Sequence, residues 1–146
     1  MPETINSLPA IHWGVSVDRA GTLYFSAGER VRYSEYRNGR YVEPVVLDSL
    51  KDDNAYSPFV SPDGSYMLAN TERDGEHPII LFKRSDGTWT KPIDLAGIIG
   101  AAHGFCPTVT PDGRYLFFVS MLDGIYVPYW MDASFIEALR KQALAG

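Results

Sequence analysis

A nine-residue pattern occurs three times along this chain and constrains its fold more than any bulk property. Val17-Asp18-Arg19-Ala20-Gly21-Thr22-Leu23-Tyr24-Phe25 returns as Val60-Ser61-Pro62-Asp63-Gly64-Ser65-Tyr66-Met67-Leu68 and again as Val109-Thr110-Pro111-Asp112-Gly113-Arg114-Tyr115-Leu116-Phe117. A second motif keeps the same register: Asn38-Gly39-Arg40-Tyr41-Val42-Glu43-Pro44-Val45-Val46-Leu47 is matched by Asp86-Gly87-Thr88-Trp89-Thr90-Lys91-Pro92-Ile93-Asp94-Leu95. Two motifs recurring in phase at a period of about 40 to 50 residues indicate stacked copies of one supersecondary unit.

Each copy reads as four short strands, A to D, because aromatic and β-branched runs are separated by turn residues every 8 to 12 residues or so. In the second copy strand A covers about Tyr56 to Val60. Pro62-Asp63-Gly64 makes the turn, since proline presets φ and glycine accepts a positive φ. Strand B follows over Tyr66 to Asn70, C over Ile79 to Lys83 and D over Thr88 to Ile93. The first copy places C at Arg32 to Tyr36 and D at Arg40 to Val46. The third departs after its strand C, Ile125 to Trp130: Ser134-Phe135-Ile136-Glu137 has the form of a capping box and opens a helix where strand D belongs. The expected fold is all-β: three four-stranded antiparallel propeller blades, the last one incomplete, and a short C-terminal helix. The blades fall at about 11–50, 54–97 and 103–131, and the helix at about 134–144.

The SPDG and TPDG turns followed by an aromatic strand resemble the PD40, WD40-like repeat of TolB-type propellers. Trp130 to Arg140 is similar to the tail that ends many bacterial members, and Ile5-Asn6-Ser7 to the loop that follows a strand D in them. The resemblance covers nearly the whole chain and implies a scaffold; it names no activity. Propellers of that family usually carry six or more blades in one polypeptide. This chain carries three and begins at a blade boundary.

Three blades do not close a ring, and an open fan exposes the apolar flanks of its first and last sheets. Two chains related by a two-fold axis along the channel would complete a six-bladed ring, with blade three of each against blade one of the other. Homodimerisation is therefore expected; a fragment of a longer product and another oligomer are the alternatives.

Composition narrows the partners. With 146 residues and 45% hydrophobic content the chain supports one core. A net charge of −5, with Lys and Arg scattered among acids, argues against nucleic acid. Cys106 is the single cysteine, which rules out an intrachain disulfide. Residues 1–10 lack the basic start and apolar run of a signal peptide, and no stretch approaches the roughly 18 apolar residues that span a bilayer. As written, the chain reads as soluble and cytoplasmic, with no membrane partner.

The blade topology sorts residues between two faces. The A-to-B turns carrying Asp63 and Asp112 lie on one face, where these acids are read as structural. The D-to-A and B-to-C connections share the other. All three histidines fall there, His12, His77 and His103, together with Trp13, Glu29, Arg30, Asp52, Asp53, Tyr56, Arg73, Asp74, Glu76, Phe105 and Cys106. Trp13, Arg30, Asp53, Tyr56, Arg73, Phe105 and Cys106 are the candidate ligand-binding residues of that mouth. Trp13, Tyr56 and Phe105 occupy one repeat position, suited either to packing around the channel or to lining a sugar or peptide site. Imidazoles and carboxylates on one rim suit a divalent metal such as Zn²⁺ or Mn²⁺. Among related propellers the oligogalacturonate lyases resemble this arrangement, with histidines holding a metal. The same three histidines equally suit ordinary loop positions. Cys106 is either a nucleophile beside His103 or a small buried hydrophobe. Tyr41 and Trp89, matched in strand D, are expected to fill seams between blades.

Two readings of function follow. The first is a self-associating propeller module that binds a small molecule, glycan, peptide or protein at the channel mouth. The alternative is a metal-dependent lyase or hydrolase with His12, His77 and His103 as ligands and Asp53 or Glu76 as base.

Overall fold

A computed structural model describes residues 5, 8, 11–72, 76–100 and 104–145, with the side chains of 11–13 excepted. Three antiparallel sheets follow one another along the chain. The first runs β1 (Ile11–Val17), β2 (Leu23–Ala27), β3 (Val31–Ser34), β6 (Val45–Val46), with a two-stranded ribbon, β4 (Tyr36–Arg37) and β5 (Arg40–Tyr41), inserted before its last strand. The second runs β7 (Ala55–Val60), β8 (Tyr66–Thr71), β9 (His77–Phe82), β10 (Ile93–Asp94), and the third β11 (Phe105–Val109), β12 (Tyr115–Leu122), β13 (Ile125–Asp132). A helix, Phe135–Leu144, ends the described chain. Each sheet pairs its strands in sequence order, as a meander.

Aspartate turns join strands A and B as the repeat implies. Asp63 Oδ1 accepts hydrogen bonds from Ser61 Oγ, Ser65 Oγ and the Ser65 N–H; Asp112 Oδ1 accepts from Thr110 Oγ1 and the Arg114 N–H. Gly64 and Gly113, at φ 71° and 73°, supply the left-handed step each turn needs. Burial alone would raise the Asp63 carboxyl, but the hydrogen bonds from Ser61 and Ser65 outweigh it and hold it below the ordinary carboxylate range. The Thr110 hydroxyl and Arg114 N–H do the same for Asp112.

Strand D is shorter than the repeat suggests in both blades that have one. Arg40 to Val46 does not form a single strand: Asn38 and Gly39, at φ 51° and 79°, make a tight turn that closes β4 on β5, and only Val45–Val46 pairs with β3. In the second blade the stretch from Thr88 contributes one bridge, Trp89 to Lys83, before Ile93–Asp94 joins β9. Pro44 and Pro92 occupy the same repeat position, and each removes the N–H that a continuous ladder would need.

The capping box at the final helix does not form. Ser134 has helical dihedrals and makes no side-chain cap; the Ser134 N–H instead donates to Asp132 Oδ1 at 2.8 Å, so the carboxylate two residues earlier starts the helix. Ala96–Ile99 forms a further short helix between the second and third blades. Among the described residues no helix is long and apolar enough to cross a membrane.

Two seams hold the blades together. Tyr24, Val31 and Leu47 of the first blade meet Val60, Met67, Ala69 and Leu81 of the second. Trp89 packs edge-on against Tyr24 with centroids 6.2 Å apart, in the seam role expected of it. Leu68, Ile80 and Phe82 on the other side of the second blade meet Leu116 and Phe118 of the third, and Ile136 of the helix joins the same cluster. The helix, which follows β13 where a strand D would, thus packs into the seam between blades two and three.

The two outer flanks differ from each other, contrary to the expectation that both lie bare. Leu23, Phe25 and Ala27 of the first blade are buried beneath Ile5, Leu8 and Tyr41, while Val15 (45% exposed) and Val17 (48%) stand open on that flank among the described residues. The third blade stays uncovered. Phe117 pairs with Trp130 and Met121 with Tyr126, so all four stand on one face of the sheet. Trp130 is 64% exposed and Tyr126 63%.

Candidate ligand cleft at the blade axis

Strand A is the innermost strand of each sheet, and each copy is interrupted at the same repeat position. Pairing skips between His12 and Val15, between Tyr56 and Phe59, and between Phe105 and Thr108. Gly14, the second residue of its skip, and Ser57 and Cys106, the first of theirs, take positive φ, 83°, 49° and 50°. Such a bulge bends the strand and re-aims the neighbouring side chains. Left-handed backbone is costly for serine and cysteine, so these two positions must be held by their surroundings.

Asn70 supplies that hold in the third blade. Fully buried on β8, its Oδ1 accepts from the Cys106 N–H at 2.9 Å while its Nδ2 donates to the Gly104 carbonyl, fixing both sides of the bulge from the neighbouring sheet. Gly104 leaves no room for a side chain: an added Cβ would sit 3.0 Å from Ile99 Cδ1 and 3.2 Å from Pro78 Cδ. Val119 takes the place of Asn70 in the third blade, and Ser26 takes it in the first, where the A-to-B turn is one residue shorter than in the other two.

A cleft of about 550 Å³ opens at the bulged ends of strands A, and all three blades line it. Ser26 and Glu29 come from the first, Asn54, Tyr56, Ser57, Glu72 and Glu76 from the second, and Phe105, Cys106, Val119 and Tyr126 from the third. This is the face of the D-to-A and B-to-C connections, as the blade topology implies. Its aromatic wall is Phe105 edge-on to Tyr126, centroids 5.8 Å apart at 77°. Tyr56 donates its hydroxyl to Glu76 Oε1 at 2.8 Å. Burial, reinforced by that bond, pushes the Tyr56 phenol well above its ordinary value, which keeps it a proton donor that orients the glutamate. Ser57 Oγ lies 3.9 Å from Cys106 Sγ, where either can donate.

The expected mouth residues separate in the structure. Tyr56, Phe105 and Cys106 line the cleft, and Cys106 is exposed rather than a buried hydrophobe. Arg30 instead bridges the first two blades: its Nη1 donates to the carbonyls of Glu29 and Asp53 at 3.3 Å and to Asn54 Oδ1 at 3.2 Å. Asp53 is buried at that seam. His77 opens β9 with its Nε2 3.3 Å from Asp94 Oδ2 of the adjoining strand. Arg73, His103 and the side chains of His12 and Trp13 lie outside the described residues. No group of three His, Cys, Asp or Glu side chains is placed to hold a metal ion among the described residues.

Ser26, Asn54, Ser57, Glu72, Val119 and Tyr126 complete the cleft without having been singled out from sequence. Projecting the repeat register from Asn70, the partner of Tyr56, would have found Val119; it would have passed over Ser26, because the shorter first A-to-B turn shifts strand B of that blade by one residue. Nothing local marks Tyr126, which reaches the cleft only through the long pairing of β12 with β13.

The fold is that of a TolB-like β-propeller. TolB from Acinetobacter baumannii matches with a TM-score of 0.58 at 17% identity, over 84% of this chain and 30% of that one. A protein described as a possible 6-phosphogluconolactonase, from Bacteroides uniformis, matches with a TM-score of 0.47 at 16% identity, over 82% of this chain and 40% of that one. The chain therefore spans less than half the length of either. No family model matches it, and no curated protein does.

Proposed function

We propose that this chain is a ligand-binding propeller segment whose site is the cleft at the blade axis. The observation that carries the reading is that three blades contribute to one cavity of about 550 Å³ with an aromatic wall and a fixed polar rim. Cavities of that size, mostly apolar with a few placed polar groups, suit small molecules. The bulges at Ser57 and Cys106 support the same reading, since backbone departing from regular strand at a cavity wall is where binding groups are commonly aimed. Isotope-edited NMR of the labelled chain against a small-molecule fragment collection tests it. Shifts clustered at Tyr56, Phe105 and Tyr126, lost in Phe105→Ala, are expected. Hits that map elsewhere, or none, overturn it.

We further propose that a second copy of this chain covers the open flank of blade three and closes the ring. Phe117, Met121, Tyr126 and Trp130 offer an exposed apolar face, and Val15 and Val17 on the opposite flank offer a complement close to the axis. Sedimentation equilibrium should give a dimer; a monomer across the accessible concentration range overturns closure by a second copy.

A further inference from the structure

We infer that Pro2 to Ile5 of one copy pairs with β13 of a second copy and supplies the strand D of its third blade. The inference rests on closure of the ring by a second copy and names the segment that makes the join. In the first two blades the end of strand D is fixed by one hydrogen bond at the same repeat position. The Leu47 N–H donates to the Val31 carbonyl at 2.9 Å, and the Leu95 N–H to the Pro78 carbonyl at 3.0 Å. Val31 opposes Ser26 on strand B, Pro78 opposes Asn70, and Pro128 opposes Val119, so the Pro128 carbonyl is the matching acceptor in the third blade. β13 is the last strand of its sheet, and after Asp132 the chain leaves into the final helix, so no strand of the described chain reaches that carbonyl.

The matching donor stands ahead of strand A in the first blade. Pro2-Glu3-Thr4-Ile5-Asn6-Ser7-Leu8 parallels Pro44-Val45-Val46-Leu47-Asp48-Ser49-Leu50, and its first four residues parallel Pro92-Ile93-Asp94-Leu95 as well. Ile5 is also bonded and packed as Leu47 and Leu95 are. Its carbonyl accepts from the Leu8 N–H at 3.2 Å, as Leu47 accepts from Leu50 and Leu95 from Ile98, both at 2.9 Å. Fully buried, it packs with Leu23, Phe25 and Ala27 of blade one, where Leu47 packs with Met67 and Ala69 of blade two and Leu95 with Leu116 and Phe118 of blade three. Ile5 therefore stands where the strand D of a preceding blade ends. That blade is not the chain's own third, because two seams of about 10 Å each separate the flank of blade one from blade three, and four extended residues span at most about 14 Å. A second copy seated head to tail brings its β13 to this place. Carrying over the pairing of Val45 with Tyr33 and of Val46 with Arg32 sets Glu3 against Trp130 and Thr4 against Tyr129 of that copy.

Mixed single-cysteine copies in a Cys106→Ser background test the register. Thr4→Cys protein is mixed with Tyr129→Cys protein and mildly oxidised, beside a control in which Val127→Cys, two residues out of register, replaces Tyr129→Cys. The disulfide-linked pair should be at least about tenfold more abundant in the first mixture, since only directly opposed residues bring their Cβ atoms within bonding range. Two proline variants read the ladder itself. Alternation along the strand turns the Glu3 N–H toward β13 and the Thr4 N–H away from it. Glu3→Pro should therefore weaken self-association at least about fivefold by sedimentation equilibrium, while Thr4→Pro should leave it within about twofold. A dimer that links equally in both mixtures, or that is indifferent to Glu3→Pro, overturns the strand exchange and leaves closure by a second copy standing. A monomer overturns both.

Discussion

The Asn70 amide closes two backbone groups that no strand can pair, the Gly104 carbonyl and the Cys106 N–H. Asn70→Ala strands both at a buried site and should cost about 2–3 kcal/mol in urea unfolding, with the larger line broadening at Cys106 than at Ser57. The turn aspartates make a second residue-scale prediction. The carboxyls of Asp63, Asp86, Asp112 and Asp132 are all held below the ordinary range, the last three chiefly by side-chain hydrogen bonds from Thr88, Thr110 and Ser134. Their stabilisation is complete above the unfolded value of about 4 and is lost as pH falls through the depressed folded values. The urea midpoint should therefore drop between pH 5 and pH 2, and Asp112→Asn should shrink the drop; an unchanged pH profile in that variant would show that the turn bonds do not discriminate the ionised form. The structural role of the aspartates was legible because proline, aspartate and glycine together fix a turn. That of Asn70 was not, since its partners lie more than thirty residues away on another blade.

Strands A, B and C were legible because alternation and turn residues bound them on both sides, and their positions agree with the structure to within a residue or two. Strand D was not. Pro44 and Pro92 lie inside apolar runs that read as strand, and the ladder stops where the N–H is missing. The final helix was expected from Ser134-Phe135-Ile136-Glu137 and lies within a residue of the expected bounds, although the capping box that announced it does not form. Its Ile136, 7% exposed, packs with Leu68, Ile80 and Leu116 across two blades. Ile136→Ala should cost about 2–4 kcal/mol by chemical denaturation, and the loss should loosen blade three without disturbing the first seam. Uniform loss of exchange protection across all three blades would mean that the helix is not a local clasp. For the cleft, repeat arithmetic located Tyr56 and Phe105 but could not weigh which connections reach the axis: Arg30 and Asp53 share their face and turn into the seam instead.

Across the whole molecule, the buried flank of blade one and the bare flank of blade three are what sequence could least distinguish, because covering the first depends on where Ile5 and Leu8 come to rest. Trp130→Glu and Phe117→Glu should each weaken self-association by at least about tenfold, the scale of losing one buried aromatic anchor, with the monomer's thermal stability within a few degrees of the parent. Unchanged association in both would place the interface elsewhere. The inequality of the flanks also leaves two ways to associate. A molecule with a covered side and a bare side can pair bare side to bare side about a two-fold axis and stop at two, or seat its bare side on the covered side of the next copy, head to tail. Its fate then hangs on a single rotation, the step from one blade to the next: a step that divides the circle evenly yields a closed crown, and one that misses by a few degrees winds the same contacts into a filament without end.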